Sequence, residues 1–394
     1  MKNTINATFS RREFIGSAAA AALMPSVAMA ESAWKAEYLA RGLEKPLKPL
    51  FRFDADGKFT FLHFSDLHLH ANGRKLHEYS ERVIRQAVSR AKPSLAVLTG
   101  DNIDYTRERA KAACERGRFR EAVDPLIALF RELKLPFAVT FGNHDSEWSG
   151  SECASRREQY EYYRSEGGRF FVDHDVPTLR GAGSGVIGIA CPDEDKPSFN
   201  LFVMDSGDYK SGRFLENGAI DTAGGYDACS AGQIEWYEKV SGKTPCLWFQ
   251  HIIVPDANTN GLFVAAEKGV KLRLTEGGPE VIANVASGVM GALKEPTCPP
   301  QWNTYRDKNH CFEGRTLYES WCKMRNLKGA YFGHDHINSF DGTDFNGIRL
   351  GMTKCGTRWG YNDGDIGCRV FTVSADGNYT TRLLTESVLF AAKG

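Results

Sequence analysis

Five short stretches of this chain bring together side chains able to hold a metal ion. They are Asp66-Leu67-His68, Gly100-Asp101, Gly142-Asn143-His144-Asp145, Gln250-His251 and Gly333-His334-Asp335-His336. Each follows a short apolar run of the kind that forms a buried strand. Alternate residues of an extended chain point to the same side, so His334 and His336 face together while Asp335 faces away. Five of the ten histidines lie in these stretches, where random placement would scatter them. A single divalent ion needs only three or four ligands. Asp66, His68, Asp101, Asn143, His251, His334 and His336, with His144 to spare, instead suit two ions that share a carboxylate. Asp101 is the natural bridge, because its two oxygens can neutralise both cations. Two ions about 3.5–4 Å apart can clamp a phosphate, acidify a bridging water and stabilise a leaving oxygen. The imidazoles and the Asn143 amide add no negative charge, so such a centre stays cationic enough to attract phosphate.

The elements that must position these residues alternate along the chain. An apolar strand, a polar tip and a helix recur three times: strand 58–64 before Asp66, strand 94–99 before Asp101 and strand 136–141 before Asn143, with helices over 76–91 and 122–133. This rhythm predicts an α/β fold with its site at the carboxyl ends of the strands. Further strands are expected at 185–190, 200–204, 245–250, 329–332, 348–352 and 369–373, with a helix from about Ser230. The Gly/Pro/Asn-rich stretch at about 255–326 reads as an insertion near the strand tips within a single domain, 31–394.

Composition narrows the class. Of 394 residues, 42% are hydrophobic and 25% charged, with a formal net charge of zero. These values fit a globular chain and give no field that would recruit nucleic acid, so no nucleic-acid partner is expected. Residues 1–30 combine a charged head, a short apolar run and Ala28-Met29-Ala30, the pattern of a cleaved signal. Arg11-Arg12 followed by Phe14 marks it as a twin-arginine signal. The expected partner is therefore the twin-arginine export machinery, with cleavage near Ala30 and a periplasmic or secreted protein. The apolar run is too short for a permanent membrane anchor. Removing Lys2, Arg11, Arg12 and Glu13 leaves 46 basic and 48 acidic residues, a net of −2. Ten cysteines without C-x-x-C spacing argue against a zinc ribbon. In an exported chain they favour disulfides, with Cys298–Cys311 and Cys355–Cys368 as candidate local pairs.

The ordered motifs Asp66-x-His68, Gly100-Asp101-x-x-Asp104, Gly142-Asn143-His144-Asp145, His251 and Gly333-His334-x-His336 resemble those of the calcineurin-like metallophosphoesterase superfamily. The resemblance spans 66–336 and implies a four-layer α/β/β/α sandwich. It assigns one metal to Asp66, His68, Asp101 and His336, and the other to Asp101, Asn143, His251 and His334. It makes His144 a non-ligating catalytic residue facing the substrate, with Asp145 orienting it. Asn102, the run Met204-Asp205-Ser206-Gly207-Asp208-Tyr209 and the ending Ile337-Asn338 are most similar to phosphatases near the purple acid phosphatases. Those enzymes carry a metal-binding tyrosine three residues after the bridging aspartate. Here that position is Asp104, so no purple colour is expected, and the ions, Fe, Mn or Zn in divalent or mixed-valence form, remain open.

The implied activity is hydrolysis of phosphate monoesters by metal-bound hydroxide. Asn143, His144 and Arg74 are the candidate substrate contacts, Arg74 because a guanidinium binds phosphate in bidentate fashion. A phosphodiesterase acting on nucleotides or lipid headgroups is the alternative, and a non-catalytic metal-binding protein the reading from another class. Of the remaining histidines, His63 reads as packed within a strand, His70 as a candidate support for the centre, and His77, His174 and His310 as surface residues.

Overall fold

Leu95–Thr99 is buried at every residue, as expected of a strand with parallel neighbours and layers on both faces. The computed structural model describes residues 51–70, 77–104, 118–147, 154–217, 219–297 and 305–391. Its strands are β1 (Phe51–Arg52), β2 (Lys58–Phe64), β3 (Leu95–Thr99), β4 (Phe137–Thr140), β5 (Gly185–Ala190), β6 (Phe199–Met204), β7 (Cys246–Gln250), β8 (Phe263–Arg273), β9 (Glu280–Val285), β10 (Leu327–Phe332), β11 (Asp341–Thr343), β12 (Arg349–Met352), β13 (Gly367–Ser374) and β14 (Tyr379–Thr385). The helices are α1 (Glu78–Ala91), α2 (Arg118–Glu132), α3 (Arg156–Gly167), α4 (Ala231–Ser241), α5 (Leu317–Met324) and α6 (Glu386–Leu389).

One sheet has the order β14-β13-β2-β3-β4, the other β1-β5-β6-β7-β10-β12-β11. Strands β2, β3 and β4 run parallel, as do β6, β7, β10 and β12. Alternation along each strand divides the apolar residues between two cores. Phe61, Leu95, Val97, Leu201, Leu247, Phe249 and Tyr331 meet between the sheets. Leu62, Ala96 and Leu98 face outward onto Ile84 of α1, Phe130 of α2 and Tyr163 of α3. Phe202, Trp248 and Phe332 face the other way, onto Tyr237 of α4 and Trp321 of α5. The layers are therefore helix, sheet, sheet, helix. Helices α3, α4 and α5 each begin with a reciprocal capping box, Ser155/Glu158, Ser230/Gln233 and Thr316/Glu319, which satisfies their first free amides. The stretch 255–326 contains the antiparallel hairpin β8–β9 and helix α5. Both join the outer core, through Phe263, Leu272 and Ala283 from the hairpin and Leu317 and Trp321 from the helix.

Three expectations are corrected. Cys355 and Cys368 are separate buried thiols: the Cys355 thiol donates to the Thr357 carbonyl at 3.4 Å and that of Cys368 points to the Leu384 carbonyl at 3.9 Å. They act as small apolar residues. Cys311 is also a free thiol, bonded to the Tyr305 carbonyl; Cys114, Cys153 and Cys298 lie outside the described residues. His174 and His310 are buried, not on the surface. His174 sits between the Val172 and Gly183 carbonyls, and His310 bridges Asp307 and Asp227 at 2.9 and 2.8 Å. No described helix is long and apolar enough to cross a membrane. Residues 1–30, where a signal is expected, lie outside the described residues.

Candidate dinuclear metal centre

The polar tips expected from sequence converge where the carboxyl ends of the two sheets meet. The sheet containing β2, β3 and β4 supplies Asp66, His68, Asp101 and Asn143; the other supplies His251 after β7 and His334 and His336 after β10. The loops are bonded to one another. Asp66 N donates to the Gly100 carbonyl at 3.0 Å and His68 N to the Asp101 carbonyl at 2.9 Å. Gly333 N donates to the His251 carbonyl at 3.0 Å, and His334 N to the Asp66 carboxylate at 3.0 Å. Asp66, His68, Asp101 and His334 all adopt positive φ, at 55°, 43°, 47° and 74°. Such backbone is costly for residues with a Cβ and persists where the surroundings over-determine it; here the cross-loop bonds do so. Gly142 and Gly333 are needed for close approach. A Cβ at Gly142 would overlap Asp101 and the His251 ring, and one at Gly333 would overlap Ser65 and Asp66.

Two ligand groups result, each with its atoms within 4.8 Å of one another: Asp66, His68 and His336, and Asp101, His251 and His334. Within the first, His68 Nε2 and His336 Nε2 approach to 3.0 Å, and His336 Nε2 is 3.4 Å from Asp66 Oδ1. Within the second, His251 Nε2 is 3.1 Å from Asp101 Oδ2 and 3.3 Å from His334 Nδ1. Asp101 Oδ2 also lies 3.9 Å from His68 Nε2, so the carboxylate faces both groups. The Asn143 side-chain oxygen is buried with no hydrogen-bond partner, and buried Asp101 Oδ2 has the imidazoles of the two groups around it. Leaving such atoms unsatisfied is expensive, and a cation between them would satisfy both. The remote nitrogens are occupied: His251 Nδ1–H donates to the Thr99 carbonyl at 3.0 Å and His336 Nδ1–H to the Tyr361 carbonyl at 2.7 Å. That fixes each ring with Nε2 inward, the arrangement of a ligating histidine. Asp335 turns away and accepts a bond from Asn338.

Electrostatics agree with a site built for positive charge. Burial alone would raise both carboxyls, but neighbouring imidazoles, His251 foremost, hold Asp66 and Asp101 below the usual carboxylate range. Burial opposes charge on His251, yet Asp101 and Asp66 outweigh it and keep the group at about 9. His336 is raised likewise, by Asp66 against burial. His68 and His334 are driven down by burial to about 4 and about 3. Without metal, imidazolium protons thus occupy the place of the cations.

The sequence profile described as "Calcineurin-like phosphoesterase" matches residues 59–338. The chain belongs to this family. It is similar to an Arabidopsis thaliana protein named "Probable inactive purple acid phosphatase 14", 24% identical over 319 residues covering 76% of this chain and 70% of that protein. It is also similar to "Phosphatase DCR2" of Saccharomyces cerevisiae, 26% identical over 312 residues covering 72% of this chain and 45% of that protein. Among solved structures, a dimetal phosphatase from Danio rerio aligns over 83% of this chain and 98% of its own, with 14% identity and a TM-score of 0.47.

Around this centre one expectation changes. Asp145 does not orient His144. Its two oxygens accept the backbone N–H groups of Ile103 at 2.9 Å and Gly142 at 2.8 Å, so it braces the loop beneath the ligands. Glu147 takes the position beside His144, with its Oε2 2.9 Å from His144 Nδ1. Burial opposes charge on His144, but Asp101 and Glu147 prevail and hold it at about 10. Arg74 lies outside the described residues. His70 Nε2 is 3.8 Å from Asp104, while His63 is fully buried between Thr99 and Thr353, packed as expected. Sequence reasoning gave no role to Glu147, Tyr209 or Tyr226. The Tyr226 ring stands edge-on to His334 at 4.4 Å, and Tyr361 stacks on His336 at 4.2 Å with the planes 5° apart. The readable signal for Glu147 was its spacing, three residues after His144.

Proposed function

We propose that the protein is an exported, dinuclear-metal phosphomonoesterase. The observation that carries this reading is the position of Asp101 Oδ2, a buried carboxylate oxygen that faces both ligand groups, 3.1 Å from His251 Nε2 and 3.9 Å from His68 Nε2, with His144 Nε2 3.9 Å away. Asp66, His68, Asp101 and His336 would hold one ion, and Asp101, Asn143, His251 and His334 the other. When bound, the ions supply Lewis acidity toward phosphoryl oxygens and acidify water. The chain's own residues do the rest. Asp101 fixes the separation of the two halves. Asn143 and the partly exposed His144 face the phosphate, and His144 carries the only imidazole proton here that is not committed to a ligand position. That proton can bond a phosphate oxygen or pass to the leaving oxygen. The identity of the ions, Fe, Mn or Zn, is left to elemental analysis.

The test is hydrolysis of a chromogenic phosphomonoester and the matching diester by the mature, metal-reconstituted protein. Monoester turnover is expected, falling by about 100-fold or more in His144→Ala, the usual loss of a general acid. A strong diester preference would move the assignment to a phosphodiesterase. One observation favours a second reading, a metal-binding protein without turnover: two of the Arabidopsis relatives carry "inactive" in their names. Tight metal binding with neither ester cleaved would establish it. For export, the mature protein isolated from the cell envelope should begin at Glu31, and replacing Arg11-Arg12 by two lysines should retain it in the cytoplasm. Accumulation of uncut, exported protein would refute the cleaved-signal reading.

A further inference from the structure

We propose that Glu147, braced by Tyr209, is the positioning residue that presents the His144 proton to the leaving oxygen of the ester; this rests on the phosphomonoesterase reading above. Residues His144–Ser146 form a single 3-10 turn flanked by Asn143 and Glu147. With three residues per turn, side chains at i and i+3 eclipse, which sets His144 and Glu147 on one face. Glu147 Oε2 engages His144 Nδ1 at 2.9 Å. Only Nε2 is then left to face the centre, where it lies 3.9 Å from Asp101 Oδ2.

The second Glu147 oxygen, Oε1, accepts the Tyr209 hydroxyl at 2.8 Å. The same hydroxyl accepts Asn143 Nδ2–H at 3.2 Å. Since the amide nitrogen is engaged there, Asn143 presents its oxygen, the buried atom without a partner. One hydroxyl thereby orients both the carboxylate behind His144 and the amide beside the metals. Tyr209 is itself held from elsewhere in the chain: its ring stacks on Tyr226 at 5.0 Å. The Glu147 carbonyl accepts Ile220 N at 2.8 Å. Asp145 cannot substitute, because both its oxygens are committed to backbone amides. In the step itself, a hydroxide oxygen derived from water forms the new P–O bond while the ester P–O bond breaks with its electron pair remaining on the leaving oxygen, which takes the Nε2 proton. Nδ1–H stays on Glu147, and the neutral imidazole regains a proton from water.

The test compares the metal-loaded mature protein with Glu147→Ala, Glu147→Gln and Tyr209→Phe on 4-nitrophenyl phosphate, whose leaving group needs little protonation, and glycerol phosphate, whose leaving group needs it. Glu147→Ala should lose about 100-fold on glycerol phosphate and several-fold less on the nitrophenyl ester. Glu147→Gln, which keeps an oxygen for Nδ1–H, should recover part of the loss, and Tyr209→Phe should fall between. Combining Glu147→Ala with His144→Ala should add little. A second readout needs no turnover: in the metal-free protein labelled with 15N-histidine, the His144 Nδ1 resonance should move in Glu147→Ala. Equal losses on both esters, or an unmoved His144 resonance, overturn the proposal. If the wild-type protein cleaves neither ester, the phosphomonoesterase reading and the proton transfer fail together. The resonance then still decides whether Glu147 positions His144.

Discussion

Asp101→Asn should lower monoester turnover by about 1,000-fold and leave no more than one tightly bound metal ion per chain. The magnitude follows from the several kcal/mol that a metal pair contributes to transition-state charge stabilisation, at about 1.4 kcal/mol per decade. The structure gives Asp101 two tasks that this substitution separates. Oδ1 accepts His144 N at 2.8 Å and holds the loop; an amide oxygen can do the same, so the fold survives. Oδ2 faces His251 at 3.1 Å and His68 at 3.9 Å from opposite ligand groups; an amide there can neutralise neither cation. Elemental analysis with a kinetic assay measures both effects, and a thermal melt checks the fold. Two ions retained at near-normal turnover would remove Asp101 from the bridging position and with it the dinuclear reading.

The residues that converge at the strand ends were legible because metal chemistry restricts residue types and because strand ends are marked by a change from apolar to polar. His251 and His334-x-His336 needed no more than that and the alternation of an extended chain. What the sequence hid depends on backbone shape. The family resemblance paired His144 with its neighbour Asp145. In a 3-10 turn, however, consecutive residues point in different directions and the third one returns to the same face, which hands the contact to Glu147. Tyr209 comes to Asn143 from 66 positions away, and no local pattern announces that. His174 and His310 were misplaced because polar residues are mostly exposed. Burial is tolerated once each ring nitrogen has a partner, as the Val172 and Gly183 carbonyls and Asp307 and Asp227 provide. The even cysteine count pointed to cross-links, yet the buried thiols of Cys355 and Cys368 serve as packing. The α/β rhythm, by contrast, was legible in the alternation of apolar strands, polar tips and helices, while the four-layer order came only with the family resemblance.

Metal loading of the centre should release protons and strengthen with pH. In the metal-free protein His251 titrates at about 9, held there against burial by Asp101 and Asp66, and His336 is raised in the same sense. A ligating imidazole must be neutral. At pH 7 nearly one proton should therefore leave from His251 and a further fraction from His336. His68 and His334, at about 4 and about 3, are already neutral and contribute none. His144, at about 10, is not a ligand in this reading and keeps its proton. The apparent affinity should accordingly climb between pH 6 and pH 9 and flatten above the His251 value. Calorimetric titration in buffers of different ionisation enthalpy counts the protons directly. For the metal-free fold the sign is opposite. Because the His251 pKa is raised above its ordinary value of 6.5, its contribution to stability is complete below 6.5 and is lost as pH rises through about 9. Chelation should thus cost more stability at pH 9 than at pH 6.5, read as the difference between melting temperatures with and without metal. Metal binding without proton release at pH 7 would mean that His251 enters the centre already neutral, and that the two carboxylates are balanced by some other charge.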